Sequence, residues 1–321
     1  MKKKAVIQVT NTTNDQPQLE APPIEELSIT IPQHLIEEIA YNRCIIFLGS
    51  GVSSTSKNTQ GQRPIGWESF IEEAKNLIPH TYNDKKDYVD ECMERKEYLH
   101  SLQVIKDYSE SSSYSTLLRN SFGDYSFRPS LAHEIIRKLN LKVVVSTNFD
   151  RIYDNYCISS ASDNSGHVVK NYYDIDDIIF NLKSHDNLII KAHGTIDSMD
   201  KLIFTQDEYY KARREHPMFY KVLESLFLTH TVLFLGYSLN DPDINLLLDT
   251  AANTKSSSSP HFVFVKDDVH PELQKHWKTN YNISTIPYGS DHDHFIPSIE
   301  LLYEKVMQLR MERGLDSWVI E

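Results

Sequence analysis

Asn148, Asp150 and His193 are the side chains of this 321-residue sequence best placed for chemistry, because each stands just beyond an apolar run. Val143-Val144-Val145 leads into Ser146-Thr147-Asn148-Phe149-Asp150, and Leu188-Ile189-Ile190-Lys191-Ala192 leads into His193-Gly194. Asn148 offers an uncharged donor and an acceptor that can orient a hydroxyl or a water. A carboxylate at Asp150 can stabilise developing positive charge. Histidine, with an ordinary pKa near ~6.5, keeps a neutral fraction able to act as a general base. A third run, Val232-Leu233-Phe234-Leu235, ends in Gly236-Tyr237-Ser238-Leu239-Asn240-Asp241. A fourth, Cys44-Ile45-Ile46-Phe47-Leu48, ends in Gly49-Ser50-Gly51-Val52-Ser53-Ser54. Glycines there let the backbone approach a diphosphate, and N–H groups and hydroxyls supply donors.

Taken singly, each segment has an ordinary structural explanation. The Gly49 loop lacks the third glycine of the dinucleotide fingerprint, position 54 being Ser, and can be a tight strand-to-helix turn. Asn148 and Asp150 can cap a helix beginning near Phe149. His193-Gly194 can be a turn. Asp241-Pro242-Asp243 reads first as a helix start with proline just inside it, and only second as a binding element. His292 and His294 alternate with Asp291 and Asp293, but no further ligand stands at a recognisable spacing, so no metal is expected. No flavin motif is present, which argues against a redox role. What favours a single site is the joint placement of polar groups at strand ends, where open α/β sheets bind their ligands.

The elements needed to hold these groups can be read from hydrophobic periodicity. Strands are expected at 44, 143, 188, 232, 261 (Phe262-Val263-Phe264-Val265) and 283 (Ile283-Ser284-Thr285-Ile286), mostly separated by helices. That alternation predicts an α/β, Rossmann-like, three-layer fold around a mainly parallel sheet of about six strands. A helix carrying Leu35, Ile36, Ile39 and Ala40 should precede the first strand. A last helix, from about Phe295 to Arg313, should bury Ile299, Leu302, Val306 and Leu309. After a helix from Trp67 to Leu77, residues 84 to 138 carry no convincing strand. A helical insertion over about 68–140 is therefore expected to form a smaller subdomain. Residues 1–31 read as an extension, largely flexible or used in assembly, with Thr10 to Pro23 rich in Asn, Thr, Gln and Pro. Ala5-Val6-Ile7-Gln8-Val9 could add a short strand to a neighbour, and Ser256 to Ser259 is a surface loop.

Composition sets further bounds. Against 45 acidic side chains stand 33 basic ones, a net charge of −12, which argues against broad nucleic-acid binding. The three cysteines, Cys44, Cys92 and Cys157, form no C-x-x-C pair, so neither a four-cysteine zinc ribbon nor a disulfide framework is expected. No stretch approaches the roughly 18 apolar residues that span a bilayer, and a cytoplasmic protein is the expectation.

The ordered set of motifs resembles the sirtuin superfamily from residue 32 to roughly 305. It comprises Gly49-Ser50-Gly51-Val52-Ser53, Ser146-Thr147-Asn148-Phe149-Asp150, Lys191-Ala192-His193-Gly194 and Gly236-Tyr237-Ser238-Leu239-Asn240-Asp241. Within it, the chain is similar to the sirtuin-like NAD+ hydrolases of bacterial anti-phage defence. Thr147 stands where protein-deacylating sirtuins carry Gln. Arg63-Pro64-Ile65-Gly66-Trp67 stands where they show Pro-Asp-Phe-Arg, and their four-cysteine zinc module is missing. Thr205-Gln206-Asp207-Glu208-Tyr209 and Tyr288-Gly289-Ser290-Asp291-His292 also look like the defence branch.

The resemblance implies an NAD+ glycohydrolase that releases nicotinamide and ADP-ribose, with NAD+ as substrate and no metal. It implies catalytic roles for Asn148, His193 and Asp150, the last supporting the nicotinamide pocket or bracing its loop. Gly49, Ser50, Gly51, Ser53, Thr147, Gly236 and Ser238 would contact the dinucleotide, Gly236 and Ser238 on its adenosine side. Because NAD+ loss is toxic, control is expected from homo-oligomerisation or from a separately encoded partner such as a ring-forming ATPase. The alternatives are a protein deacylase or ADP-ribosyltransferase on the same fold, or a non-enzymatic nucleotide-binding scaffold.

Overall fold

Among the described residues, runs rich in β-branched and aromatic residues form seven strands, β1 (Cys44–Leu48), β2 (Val143–Ser146), β3 (His167–Asn171), β4 (Asn187–Lys191), β5 (Thr231–Leu235), β6 (His261–Val265) and β7 (Ile283–Pro287). The computed structural model describes residues 29–160, 166–239, 244–245, 247–248 and 260–315. The strands pair in the order β3-β4-β2-β1-β5-β6-β7, and every pairing is parallel. Side chains alternate across the sheet with the period of two that a pleated strand imposes. Cys44, Ile46 and Leu48 enter one apolar layer, while Ile45 and Phe47 enter the other.

Helices cover both faces, as an all-parallel sheet requires. On one side pack α1 (Gln33–Ala40), α7 (Leu131–Lys138) and the long C-terminal helix α13 (Phe295–Glu312). The stripe Ile299, Leu302, Val306 and Leu309 is buried there, as its spacing predicts. On the other side lie α9 (Ile175–Leu182), α10 (Gln206–Glu215), α11 (Pro217–Thr229) and α12 (Pro271–Tyr281). Between β1 and β2 the chain makes a short turn of helix, α2 (Ser50–Ser53), then α3 (Trp67–Lys75), α4 (Asn83–Glu94), α5 (Tyr98–Tyr108) and α6 (Ser111–Phe122) before reaching α7. Helices α3 to α6 share a separate apolar cluster with Phe149, Ile196, Leu202 and Phe204, all near the strand ends. The remaining helix, α8 (Ile152–Ser159), follows β2.

The α/β, Rossmann-like architecture expected from the sequence is present, with seven strands where about six were expected. The additional one is β3, a sheet edge whose residues are all only half-buried. Its polar members His167, Lys170 and Asn171 gave no apolar run to read. Among the described residues no helix is long and apolar enough to cross a membrane. Most of the extension (residues 1–28, including Ala5 to Val9), Asn240 to Asp243 and Ser256 to Ser259 lie outside the described residues.

Candidate active site

Four loops leave the carboxyl ends of the adjacent strands β4, β2, β1 and β5, and their first residues are bonded to one another. The Gly49 N–H donates to the Leu235 carbonyl at 3.0 Å and the Gly51 N–H to the Gly236 carbonyl at 2.9 Å. The loops lie so close that a Cβ on Gly49 would come within 2.3 Å of the Gly236 carbonyl oxygen. Gly236 itself adopts φ +58°, and a Cβ there would meet the Val52 nitrogen at 2.3 Å. These glycines are thus demanded by loop-on-loop packing before any ligand is considered. On the other flank, the Thr147 N–H and hydroxyl both donate to the Leu48 carbonyl, at 3.1 and 3.3 Å.

Asn148 is held by two hydrogen bonds from its amide nitrogen, to the Gly49 carbonyl and to Ser53 Oγ, each 3.0 Å long. Ser53 Oγ in turn donates to Asp150 Oδ2 at 2.7 Å. The second oxygen, Oδ1, accepts the Ile152 N–H at 3.0 Å. Asp150 therefore also caps the start of α8, which begins at Ile152 and not near Phe149 as the sequence suggested. The result is an unbroken polar chain, Asn148–Ser53–Asp150, stapling the loop after β2 to the loop after β1.

Beneath it lies a buried ion pair. Lys191 Nζ stands 3.0 Å from Asp154 Oδ2, with both side chains 1% exposed, and also donates to the Asp150 carbonyl at 2.8 Å. Burial pushes the Asp154 carboxyl above its ordinary pKa, and the Lys191 charge pulls the other way. Sequence reasoning did not find this pair, because Lys191 and Asp154 stand far apart in the chain with no local pattern linking them.

His193 is 4% exposed, and its carbonyl accepts the Ile203 N–H at 3.1 Å. Its ring lies 6.5 Å from that of Phe149 and edge-on to Tyr209 at 5.1 Å. Tyr209 Oη is 3.3 Å from His193 Nε2. Tyr209 rides on α10, whose first turn is fixed by a Thr205–Glu208 capping box.

These loops and the aromatic edge of the α3–α6 layer enclose a cleft of about 630 Å³. Around it the structure gathers all ten residues singled out from the sequence: Gly49, Ser50, Gly51, Ser53, Thr147, Asn148, Asp150, His193, Gly236 and Ser238. It adds aromatic residues that sequence reasoning missed as site members, among them Trp67, Phe149, Tyr209 and Tyr237. The capping-box spacing from Thr205 to Glu208 was a signal that a helix starts there, though not that its Tyr209 reaches His193. His292 makes a local bond from Nδ1 to the Tyr288 hydroxyl at 2.9 Å. Among the described residues, no group of three or more His, Cys, Asp or Glu is arranged to hold a metal ion.

Comparison with known proteins agrees with the resemblance drawn from the motifs. A family model described as a SIR2-like domain matches residues 142–286, from the start of β2 into β7. The chain is 23% identical over 251 residues to a protein named defense-associated sirtuin 2 from Bacillus subtilis, covering 74% of this chain and 22% of that protein. It is 25% identical over 234 residues to the NAD(+) hydrolase ThsA of Enterococcus faecium, covering 72% of this chain and 44% of that one. With the protein of the same name from Bacillus cereus it shares 22% identity over 252 residues, 77% of this chain and 47% of the relative. The chain thus spans less than half the length of each of these relatives.

Proposed function

We propose that this chain, which carries a SIR2-like domain over residues 142–286, is an NAD+ glycohydrolase that splits NAD+ into nicotinamide and ADP-ribose. The observation that carries the proposal is the Asn148–Ser53–Asp150 chain standing in one cleft with His193. Similarity to proteins named NAD(+) hydrolase supports the same substrate. The cleft volume also falls in the roughly 300–1,000 Å³ range of small-molecule sites.

The chemistry asks little of the protein in acid catalysis. Nicotinamide is cationic in NAD+ and leaves as a neutral molecule, so no group need protonate it. The transition state resembles an oxocarbenium ion, as in glycoside hydrolysis. Asp150, held by Ser53 and the Ile152 N–H, stabilises the charge that develops at the anomeric carbon. Asn148, fixed through its amide nitrogen, orients the ribose or the attacking water. His193 serves as the base that readies water or a ribose hydroxyl, a role typically worth about 10²–10⁴-fold in rate. Gly49, Ser50, Gly51, Ser53 and Thr147 line the dinucleotide path, with Gly236 and Ser238 on the adenosine side.

In the cell such an activity depletes NAD+. The name of the Bacillus subtilis relative, a defense-associated sirtuin, supports a role in defence. We place that role against phage, as a cytoplasmic effector acting by abortive infection. An effector of this kind is held silent until triggered, here by self-assembly or by a separate regulatory protein such as a ring-forming ATPase.

The test is to incubate purified protein with NAD+, alone and with proteins encoded beside it, and resolve the products by chromatography. Free ADP-ribose in the absence of a peptide acceptor is the expected product, and Asn148→Ala and His193→Ala should each abolish it. Transfer of ADP-ribose or an acyl group to or from a peptide would replace hydrolysis with the deacylase or transferase reading. NAD+ that stays intact in every condition while still binding would make the site a scaffold.

A further inference from the structure

Lys57 and Arg128 face each other across an antiparallel bridge, in which the Arg128 N–H donates to the Lys57 carbonyl at 3.0 Å. Residues opposed in this way project to the same side, with Cβ atoms about 4.5–5.5 Å apart, and like charges so placed repel each other. Among the described residues neither side chain has an acidic partner, although the chain as a whole carries a net charge of −12. The acids of this region are engaged elsewhere. Asp124 Oδ1 accepts the Ser126 N–H at 2.7 Å, and Asp197 accepts from the Tyr125 hydroxyl and from Arg151 Nη1, each at 2.7 Å. Two opposed cations are thus left without counter-charge.

Arg128 also lines a cavity of about 320 Å³, half the volume of the cleft described above. Arg151 lines it too, with Phe122, Tyr125, Phe127 and Tyr156 supplying aromatic walls. The volume lies at the lower end of the roughly 300–1,000 Å³ range of small-molecule sites, which suits a mononucleotide better than a dinucleotide. Aromatic faces hold a base by stacking, and the guanidinium fork matches phosphate oxygens in pairs. Phe122, Phe127 and Ile152 line the cleft as well, so the two chambers share a wall.

We propose that this cavity is a second ligand site, which takes a nucleoside monophosphate. The phosphate sits against Arg128 and Lys57 and relieves their repulsion, while the base lies on the aromatic wall. Inorganic phosphate would leave that wall unused. A nucleoside would leave the two cations opposed. The site stands whatever reaction the cleft performs.

AMP is the probe, titrated calorimetrically into the purified chain. Arg128→Gln and Lys57→Gln each remove one charge from an exposed side chain and leave the backbone bridge between them intact. AMP affinity should fall about 10-fold in Arg128→Gln and further in the double variant, with the thermal midpoint unchanged. Any AMP taken up by the cleft is indifferent to these changes. Adenosine and inorganic phosphate should each bind at least about 10-fold more weakly than AMP. On illumination, 8-azido-AMP should label the segments 122–129 and 151–159. Absence of AMP binding overturns the proposal, as does an affinity that the double variant leaves unchanged. Inorganic phosphate binding as tightly as AMP removes the nucleotide, and label confined to cleft segments such as 236–238 removes the second site.

Discussion

At the scale of single residues, Ser53 carries more of the site than its plain side chain suggests. Its hydroxyl accepts from Asn148 and donates to Asp150, so it sets the position of two groups in different loops. A hydrogen bond to a charged group contributes about 1.5–3 kcal/mol, which corresponds to roughly 10–100-fold in rate. Ser53→Ala should therefore lower kcat/KM by about that factor while shifting the thermal midpoint by no more than a few degrees. Unchanged kinetics would show that Asn148 and Asp150 are held by their other bonds alone. Asn148, Asp150 and His193 were legible in the sequence because each interrupts an apolar run abruptly. Tyr209 was not, being one of 18 tyrosines and brought to His193 by the packing of α10. Phe149 was hidden for the opposite reason. Wedged between two candidate catalytic residues, it is an apolar anchor against Trp67, Phe122 and Phe204.

At the scale of elements, α8 and β4 are joined below the site by the Lys191–Asp154 pair, whose lysine also grips the Asp150 carbonyl. Removing one partner of a buried pair leaves the other as an uncompensated charge, a loss of about 3–5 kcal/mol. Lys191→Met should lower the denaturant midpoint accordingly, and a Lys191→Met/Asp154→Leu double variant should recover part of the loss. A double variant no more stable than the single one would show that the bond to Asp150 carries the stabilisation. Strands β1, β2, β4, β5 and β6 were readable because each carries a largely apolar, mostly buried run, and β7, at the opposite edge, because Ile283 and Ile286 flank its half-buried Ser284 and Thr285. The edge strand β3 was not, since one free side permits polar residues. Helix α8 starts later than its capping residues suggested because Asp150 bonds two residues ahead, to Ile152.

At the scale of the whole molecule, burial makes stability depend on pH. The rings of His133 and His261 are both pushed down to about 4 by burial. Each uses Nδ1 to accept a backbone N–H, from Ser130 and from Val232. In the unfolded chain such rings take up protons below about pH 6.5, while the folded protein refuses them until about pH 4, so stability is lost as pH falls through that window. At pH 5 the loss should be roughly 2 kcal/mol per ring, read from urea midpoints at pH 7 and pH 5. His261→Gln should flatten that dependence. Equal midpoints at the two pH values would remove these rings as its source.

The central place of β1 has a consequence for how the protein comes into being. Its partners β2 and β5 are separated from it by the whole helical insertion and by most of the remaining sheet. A ribosome delivering this chain exposes β1 before the other strands of the sheet, and its second neighbour only after residues 49 to 230 have followed. Such distant pairing gives a high contact order and slow folding. Until β5 arrives, β1 presents an apolar, unpaired edge, a template for pairing with another copy that stays open while residues 49 to 230 are made.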